Sequence, residues 1–225
     1  MRVLVIDTAL GLCTAGVFDV EDGAARELGL RSEAMSKGHS ERLAGFARDA
    51  VAASGLSFAD IDRIGVTVGP GSFTGLRVGM AFALGLGAAL DRPVVGLSSL
   101  DALAASVEPG TVAALIDARR GQVYARVFAD GVPAGPAEAL SLEAAAQRVG
   151  GLAPGATLVG SGAALFGDPA GSASVLSLAG PEPAALARLT EEADPELALP
   201  RPLYLRAPDA TPPTRTPGQA RPGRG

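Results

Sequence analysis

Hydrophobic and polar residues alternate along the first part of the chain with the period of β-strands. Three strand-like segments cover residues 2–8, 12–20 and 25–33, and short turns at Gly11 and at Glu21–Gly23 separate them. Strands joined by connections this short can pair only with opposite directions. The pattern therefore predicts an antiparallel meander at the start of the chain.

The apolar spacing then changes to that of helices and buried strands. Apolar residues recur at helical intervals over 39–54, and a glycine-rich helix is predicted over 72–90. Each of these helices is followed by a nearly continuous apolar strand, over 63–69 and 92–99, of the kind buried in parallel sheets. The meander is thus continued by two crossover units.

The second half of the chain repeats this opening. The segments TVAALIDAR and QVYARVFAD predict a hairpin whose turn is Arg120–Gly121, and residues 132–140 are a candidate third strand. Shorter helices and strands follow. The repeat predicts a duplicated α/β fold with one subdomain over 1–108 and a smaller one over 109–206, whose last segment packs back on the first. Residues 207–225, rich in Pro, Gly and Arg, are expected to be disordered.

Composition narrows the possible functions. The net charge is −5, which argues against binding of nucleic acid by the overall field, although five arginines and one aspartate lie after residue 200. The single Cys13 and the single His39 exclude a disulfide framework and a Cys/His zinc cluster within one chain. The first residues are typical of a buried strand rather than a signal peptide, and no apolar run is expected to reach the about 18 residues of a membrane span. We therefore expect a cytoplasmic protein without membrane contact.

The segment GPGSFTGLRVGMAFALGLGAAL places several glycines inside a predicted helix, where each costs about 1 kcal/mol relative to Ala. A phosphate-binding P-loop is excluded, because Thr74 stands where the motif needs its second Gly and no Lys follows residue 37. Anion binding by the amides of residues 72–74, assisted by Arg77, stays open. Close packing of this helix against another backbone fits its residues better than anion binding does.

Small residues recur in this helix at four-residue spacing, which lets another backbone approach closely. One row is Gly75, Gly79 and Ala83, and the other is Ala81, Gly85 and Ala89. Residues 78–90 carry no polar side chain, so the helix is expected to be buried on every face. Either the preceding helix or a partner chain covers the side away from the sheet, and the sequence does not separate these two.

Candidate catalytic residues do not assemble into a set. Asp7 and Asp117 each end an apolar strand before a turn, which is compatible with positioning magnesium and phosphates and also with an ordinary turn residue. His39 has no triad partner, and Cys13 is expected to be a buried small hydrophobe.

The motifs VLVIDTA, GHSERL, GPGSFTGLRVGMAFALGLG, VVGLSSLDALA, ALIDARRGQVYAR and PLYLR together resemble the TsaB family, also called YeaZ, over residues 1–166 and again over 200–206. The resemblance implies an actin-like, sugar-kinase-like (ribonuclease H-like) α/β fold. It also implies a role as the non-catalytic partner of the paralogous TsaD subunit, which threonylcarbamoylates the adenosine beside the anticodon of tRNA.

The resemblance further implies that this chain is a pseudoenzyme without metal or cofactor. Ser99 and Leu103 stand at the positions of the paralogue's His-x-x-x-His metal site. Asp7 and Asp117 then mark a vestigial nucleotide or phosphate region. The alternative is a stand-alone ATP-binding phosphotransferase of the same fold.

The resemblance places a four-helix interface with TsaD on the helices over 39–54 and 72–90. The expected contacts, chosen from the pattern, are Leu43, Phe46, Phe73, Arg77, Gly79, Met80 and Leu84. Further expected partners are the TsaE ATPase, tRNA through the complex, and a second copy of the chain when it is alone.

Overall fold

A computed structural model describes residues 1–167 and 174–206. The strands are β1 Arg2–Asp7, β2 Leu12–Glu21, β3 Ala24–Ala34, β4 Arg63–Gly69, β5 Val94–Ser98, β6 Thr111–Arg119, β7 Gln122–Ala129, β8 Val132–Pro133, β9 Glu138–Ser141, β10 Thr157–Val159 and β11 Ser174–Leu176. The helices are α1 His39–Ala53, α2 Phe73–Leu90, α3 Ser99–Ala104, α4 Leu142–Gly150 and α5 Pro183–Glu192. The predicted disordered tail over 207–225 lies outside the described residues.

The first sheet contains five strands in the order β3-β2-β1-β4-β5. The pairs β1–β2 and β2–β3 are antiparallel, whereas β4 lies parallel to β1 and β5 lies parallel to β4. This confirms the predicted meander and the two crossover units. The apolar residues of the central β1 are buried on both sides of the sheet, which explains why its sequence is almost continuously hydrophobic.

Helices cover both faces of this sheet. Leu4 and Ile6 of β1 pack with α1 and α2 on one face, whereas Val3 and Val5 pack with α3 and α5 on the other. The alternation follows from the two-residue period of a strand. Because α5 comes from the second half of the chain, the first sheet is completed only by residues far along the sequence.

The second sheet repeats the topology of the first. Its order is β11-β10-β6-β7-β8, and β9 also pairs with β7. The first strand of each half is central, with the antiparallel second strand on one side and a parallel strand on the other. This confirms the duplicated, actin-like α/β fold, and Arg120 and Gly121 form the predicted turn with φ of 53° and 71°. The predicted third strand over 132–140 is instead two short pieces, β8 and β9, that pair with different parts of β7.

Residues 194–206 follow α5, begin with a turn and then cross from one subdomain to the other; we term this segment the C-terminal strap. Gly96 N donates to Ala198 O at 2.8 Å beside β5, and Leu203 N donates to Val68 O at 2.8 Å at the end of β4. At its far end Arg206 Nη1 donates to Ala118 O of β6 at 3.1 Å. The strap therefore brings residues from the end of the described chain to the start of α2.

Candidate protein-docking surface

The inner face of α2 packs on the protein's own first sheet. A Cβ atom on Gly75 would collide with the carbonyl oxygen of Thr8, and one on Gly79 would lie 2.5 Å from Thr8 Oγ1. That hydroxyl donates to Gly75 O at 2.7 Å. Ala83, the third member of this row, is also fully buried. The row therefore serves an internal contact at the end of β1.

The outer face of α2 is exposed and apolar. Ala81, Gly85 and Ala88 are exposed, and Leu84 retains 46% of its surface. The expectation that residues 78–90 are buried on every face is wrong, because α1 lies mainly over β2 and β3 and leaves this side of α2 uncovered. A Cβ on Gly85 would have no atom within 4 Å among the described residues.

The length of α2 also corrects the expectation about membranes. All 18 residues of Phe73–Leu90 form one helix, which is long and apolar enough to cross a membrane by length and composition. The apolar run is therefore not too short, since Arg77 lies inside the helix rather than at its boundary. One third of this stretch is buried inside the protein, against the sheet.

Four of the seven residues expected at a partner interface belong to the core of this chain. Leu43, Phe46 and Met80 retain between 1% and 6% of their surface, and Gly79 faces Thr8. Their helical spacing was read correctly as one face, but that face is the one that packs on the sheet. Those four assignments are therefore corrected to core positions. The other three, Phe73, Arg77 and Leu84, are exposed.

Arg77 has a defined setting that the sequence did not suggest. Its guanidinium carbon lies 3.8 Å from the centre of the Phe73 ring, one helical turn earlier. The Phe73 ring lies 5.5 Å from that of Tyr204 in the C-terminal strap, and Arg77 Nε is 3.4 Å from the Tyr204 hydroxyl. We term these three residues the aromatic–arginine cluster. Tyr204 was missed as a site residue, although it lies in the PLYLR motif.

Asp7 lies at the end of β1, where the fold buries it almost completely. Its Oδ1 accepts from Thr67 Oγ1 at 2.6 Å and from Ala9 N at 2.9 Å. Oδ2 has no hydrogen-bond partner among the described residues. Burial raises the pKa of this carboxyl, while the bonds from Thr67 and Ala9 and the charge of His39 oppose the rise. The carboxyl is thus enclosed by the chain itself.

Two other residues near Asp7 are buried as well. Burial, assisted by the charges of Asp7 and Glu33, raises the pKa of the Cys13 thiol to about 11, which fits the expected inert small hydrophobe. His39 is only 9% exposed, and its Nε2 has no hydrogen-bond partner among the described residues. It begins α1 and faces inward.

Asp117 differs from Asp7 although each lies near the end of the first strand of its half. Its side chain is 31% exposed, and its Oδ1 accepts from Arg119 N at 2.8 Å, as a turn residue does. The described residues contain no group of three or more His, Cys, Asp or Glu side chains placed to hold a metal. A vestigial nucleotide region at these two acids stays a prediction.

Ser99 and Leu103 lie one turn apart on α3, and both are fully buried. Leu103 packs in the core beside β6. A histidine pair at these positions would face the interior of this chain.

Comparison with known proteins assigns the family. A family model described as tRNA N6-adenosine threonylcarbamoyltransferase (TsaD) matches residues 20–132, half of the chain. TsaB of Escherichia coli is 36% identical over 128 residues, which span 55% of this chain and 53% of that protein. YeaZ from Pseudomonas aeruginosa superposes with a TM-score of 0.72 at 26% identity and covers 91% of this chain and 99% of its own. The chain belongs to the TsaB/YeaZ family.

A further relative matches along nearly the whole chain. An uncharacterized protein of Mycobacterium tuberculosis is 40% identical over 215 residues, which span 93% of this chain and 94% of that protein. The family resemblance carried by the motifs is confirmed by the family model, by TsaB of E. coli and by YeaZ, and the superposition with YeaZ extends through the part of the chain in which few motifs were recognised.

Proposed function

We propose that this chain is the TsaB-type, non-catalytic subunit of the tRNA threonylcarbamoyladenosine machinery and that it binds a TsaD-type transferase subunit. The outer face of α2 carries the proposal, because an apolar helix face with Leu84 at its centre is exposed in the isolated chain. The name of the E. coli relative supports the pathway. The match to the transferase model supports a partner of related fold.

The docking surface comprises the outer face of α2, the aromatic–arginine cluster and the adjoining exposed residues of α1. Phe73 and Leu84 retain 50% and 46% of their surfaces, so each has large apolar area to lose on binding. Aromatic residues such as Phe73 are enriched in the buried cores of interfaces, and Leu84 adds apolar area to the same helix. In the absence of the partner, the same surface is proposed to pair with a second copy of the chain.

The remaining parts of the proposal rest on the family. The complex acts in the cytoplasm, TsaE and tRNA join through it, and the transferase chemistry belongs to TsaD. Within this chain, the burial of Ser99 and Leu103 supports a non-catalytic role, since neither side chain presents a ligand at an open site.

A single substitution on the docking surface tests the proposal. Leu84→Asp places a charge at the centre of the apolar face, and we expect it to raise the Kd for the TsaD-type subunit of the same cell by about 30-fold or more. The matched control is Val132→Asp, on β8 of the second sheet, because Val132 is 66% exposed and lies on a different subdomain. Calorimetric titration should show unchanged affinity for the control. Equal binding by both variants would contradict the docking surface, and no binding by the wild type would contradict the function.

The phosphotransferase alternative requires an accessible carboxylate at Asp7, which is 1% exposed. It predicts magnesium-dependent ATP binding that Asp7→Ala and Asp117→Ala remove. Calorimetric titration of the isolated chain with Mg-ATP distinguishes the two functions. The docking proposal predicts no heat of ATP binding that depends on Asp7 or Asp117.

A further inference from the structure

Arg77 is an exposed arginine held in place on an apolar surface. It is the only charged residue in Phe73–Leu90. The guanidinium stacks on Phe73 at 3.8 Å, and only Nε has a hydrogen-bond contact, to the Tyr204 hydroxyl, within residues 1–167 and 174–206. The two terminal nitrogens are therefore left with unused donors at the edge of a fixed plane.

This arrangement favours one class of ligand group. A planar guanidinium offers two parallel N–H donors, and these match the two oxygens of a carboxylate. Stacking on Phe73 restricts the side chain before binding, so less conformational entropy is lost when the donors are used. The surrounding Ala81 and Leu84 surfaces are apolar, and a partner that covers them removes water from the ion pair.

A nucleic acid is a poorer occupant than an acidic side chain. Binding to a phosphate backbone uses several cations along one surface, and α2 supplies only one. The two arginines of α1 are already paired, Arg48 with Asp49 at 2.8 Å and Arg42 with Glu33 at 2.9 Å. Charge complementarity on this face therefore calls for a single negative charge within an apolar surface.

We propose that the aromatic–arginine cluster is the specificity-determining part of the docking surface and that Arg77 receives one Asp or Glu carboxylate of the partner protein. This inference rests on the proposed function, because it concerns the same partner. Arg77 selects the orientation of the partner helix, since only one register places a carboxylate against the two terminal nitrogens of its guanidinium. Tyr204 is the positioning residue, because its ring contacts Phe73 and its hydroxyl contacts Arg77.

The test compares variants of Arg77 in the complete chain against the TsaD-type subunit. Arg77→Met keeps an unbranched side chain over Phe73 but leaves the partner's carboxylate unpaired, and we expect the Kd to rise by about 30-fold or more. Arg77→Lys keeps the charge but not the planar fork, and we expect it to recover only part of that loss. The dependence of Kd on salt should weaken in Arg77→Met.

A matched control uses an arginine that is already neutralised. Arg148→Met removes the exposed Arg148 of α4 in the second subdomain, which is paired with Glu138 at 2.8 Å, and should change the Kd by less than about threefold. A charge swap identifies the partner's carboxylate. Arg77→Glu is combined with the replacement of single acidic residues of the partner by Arg, and the position that restores the affinity is the one that contacts residue 77. Restoration by one position and not by its neighbours supports the inference.

The outcomes separate this inference from the function on which it rests. A wild-type chain that fails to bind the partner overturns both. Binding that Leu84→Asp abolishes but Arg77→Met leaves unchanged overturns only the carboxylate contact. An unchanged Kd for the protein partner together with weaker retention of tRNA by the Arg77→Met complex would assign the cluster to a phosphate instead, and this also overturns the inference.

Discussion

The two rows of small residues in α2 look alike in sequence and do opposite things. Gly75 and Gly79 face inward, where their missing side chains make room for Thr8. Gly85, with the exposed Ala81 and Ala89, faces outward, and a Cβ added to Gly85 would meet no atom of the described residues within 4 Å. The inner row thus stabilises the fold, whereas the outer row leaves a smooth exposed surface to which we propose a partner binds. Small residues permit another backbone to approach closely, but the position of each row in the fold determines whether the chain's own backbone lies there.

The inner row should tolerate no added atoms, and this is the largest expected effect. Gly75→Ala directs a methyl group into the carbonyl oxygen of Thr8, a backbone atom at the end of β1. We expect the free energy of unfolding to fall by about 3 kcal/mol, as for an overpacked core. Urea unfolding followed by circular dichroism measures it. A loss below about 1 kcal/mol would mean that α2 does not lie against β1 in this way.

Asp7, which precedes Thr8, should make the free energy of unfolding depend on pH. Because burial raises the pKa of Asp7 above its ordinary value of 3.8, the folded protein keeps a proton that the unfolded chain has released. Stability should therefore fall as the pH rises from about 3.8 to the folded-state pKa, by up to about 1.4 kcal/mol per pH unit, and level off above it.

Asp7→Asn is the variant that isolates this effect. The amide oxygen of the variant can still accept the hydrogen bonds that Thr67 and Ala9 donate to Oδ1 of Asp7 in the wild type. The variant should lose the downward slope when unfolding is measured at successive pH values between 4 and 7. An identical slope in wild type and variant would assign the pH dependence to another group.

The outer row should accept an added methyl group, with the smallest effect. Gly85→Ala meets no atom within 4 Å and removes the cost of a glycine inside a helix, so it should raise the free energy of unfolding by about 0.5–1 kcal/mol. Measured beside Gly75→Ala, the same chemical change thus has opposite signs on the two rows. Destabilisation by both would show that a part of the chain covers the outer row.

Much of the fold could be predicted because local pattern and topology agree. The meander, the two crossovers and the Arg120–Gly121 turn all follow from the spacing of apolar residues and from turn chemistry. The single strand expected over 132–140 was wrong because the chain pairs with two separate stretches of β7. Pairing between strands is a tertiary choice that a short polar segment does not reveal.

The candidate site was less predictable. Helical spacing identified the apolar faces of α1 and α2 but not which face meets the sheet, so Leu43, Phe46, Gly79 and Met80 were placed on the wrong side. The setting of Arg77 depends on Tyr204, 127 residues away, and no periodicity joins positions so distant. Residues placed by long-range contacts need the folded structure.

The C-terminal strap is synthesised after the strands and the helix that it contacts. A ribosome that has produced residues 1–108 has made every strand of the first sheet but has not yet made α5, which covers one face of it. The docking surface is completed later still, when Tyr204 arrives beside Phe73. A nascent or truncated chain that lacks Tyr204 cannot form the aromatic–arginine cluster, so the proposed docking surface is complete only in a chain that reaches this residue.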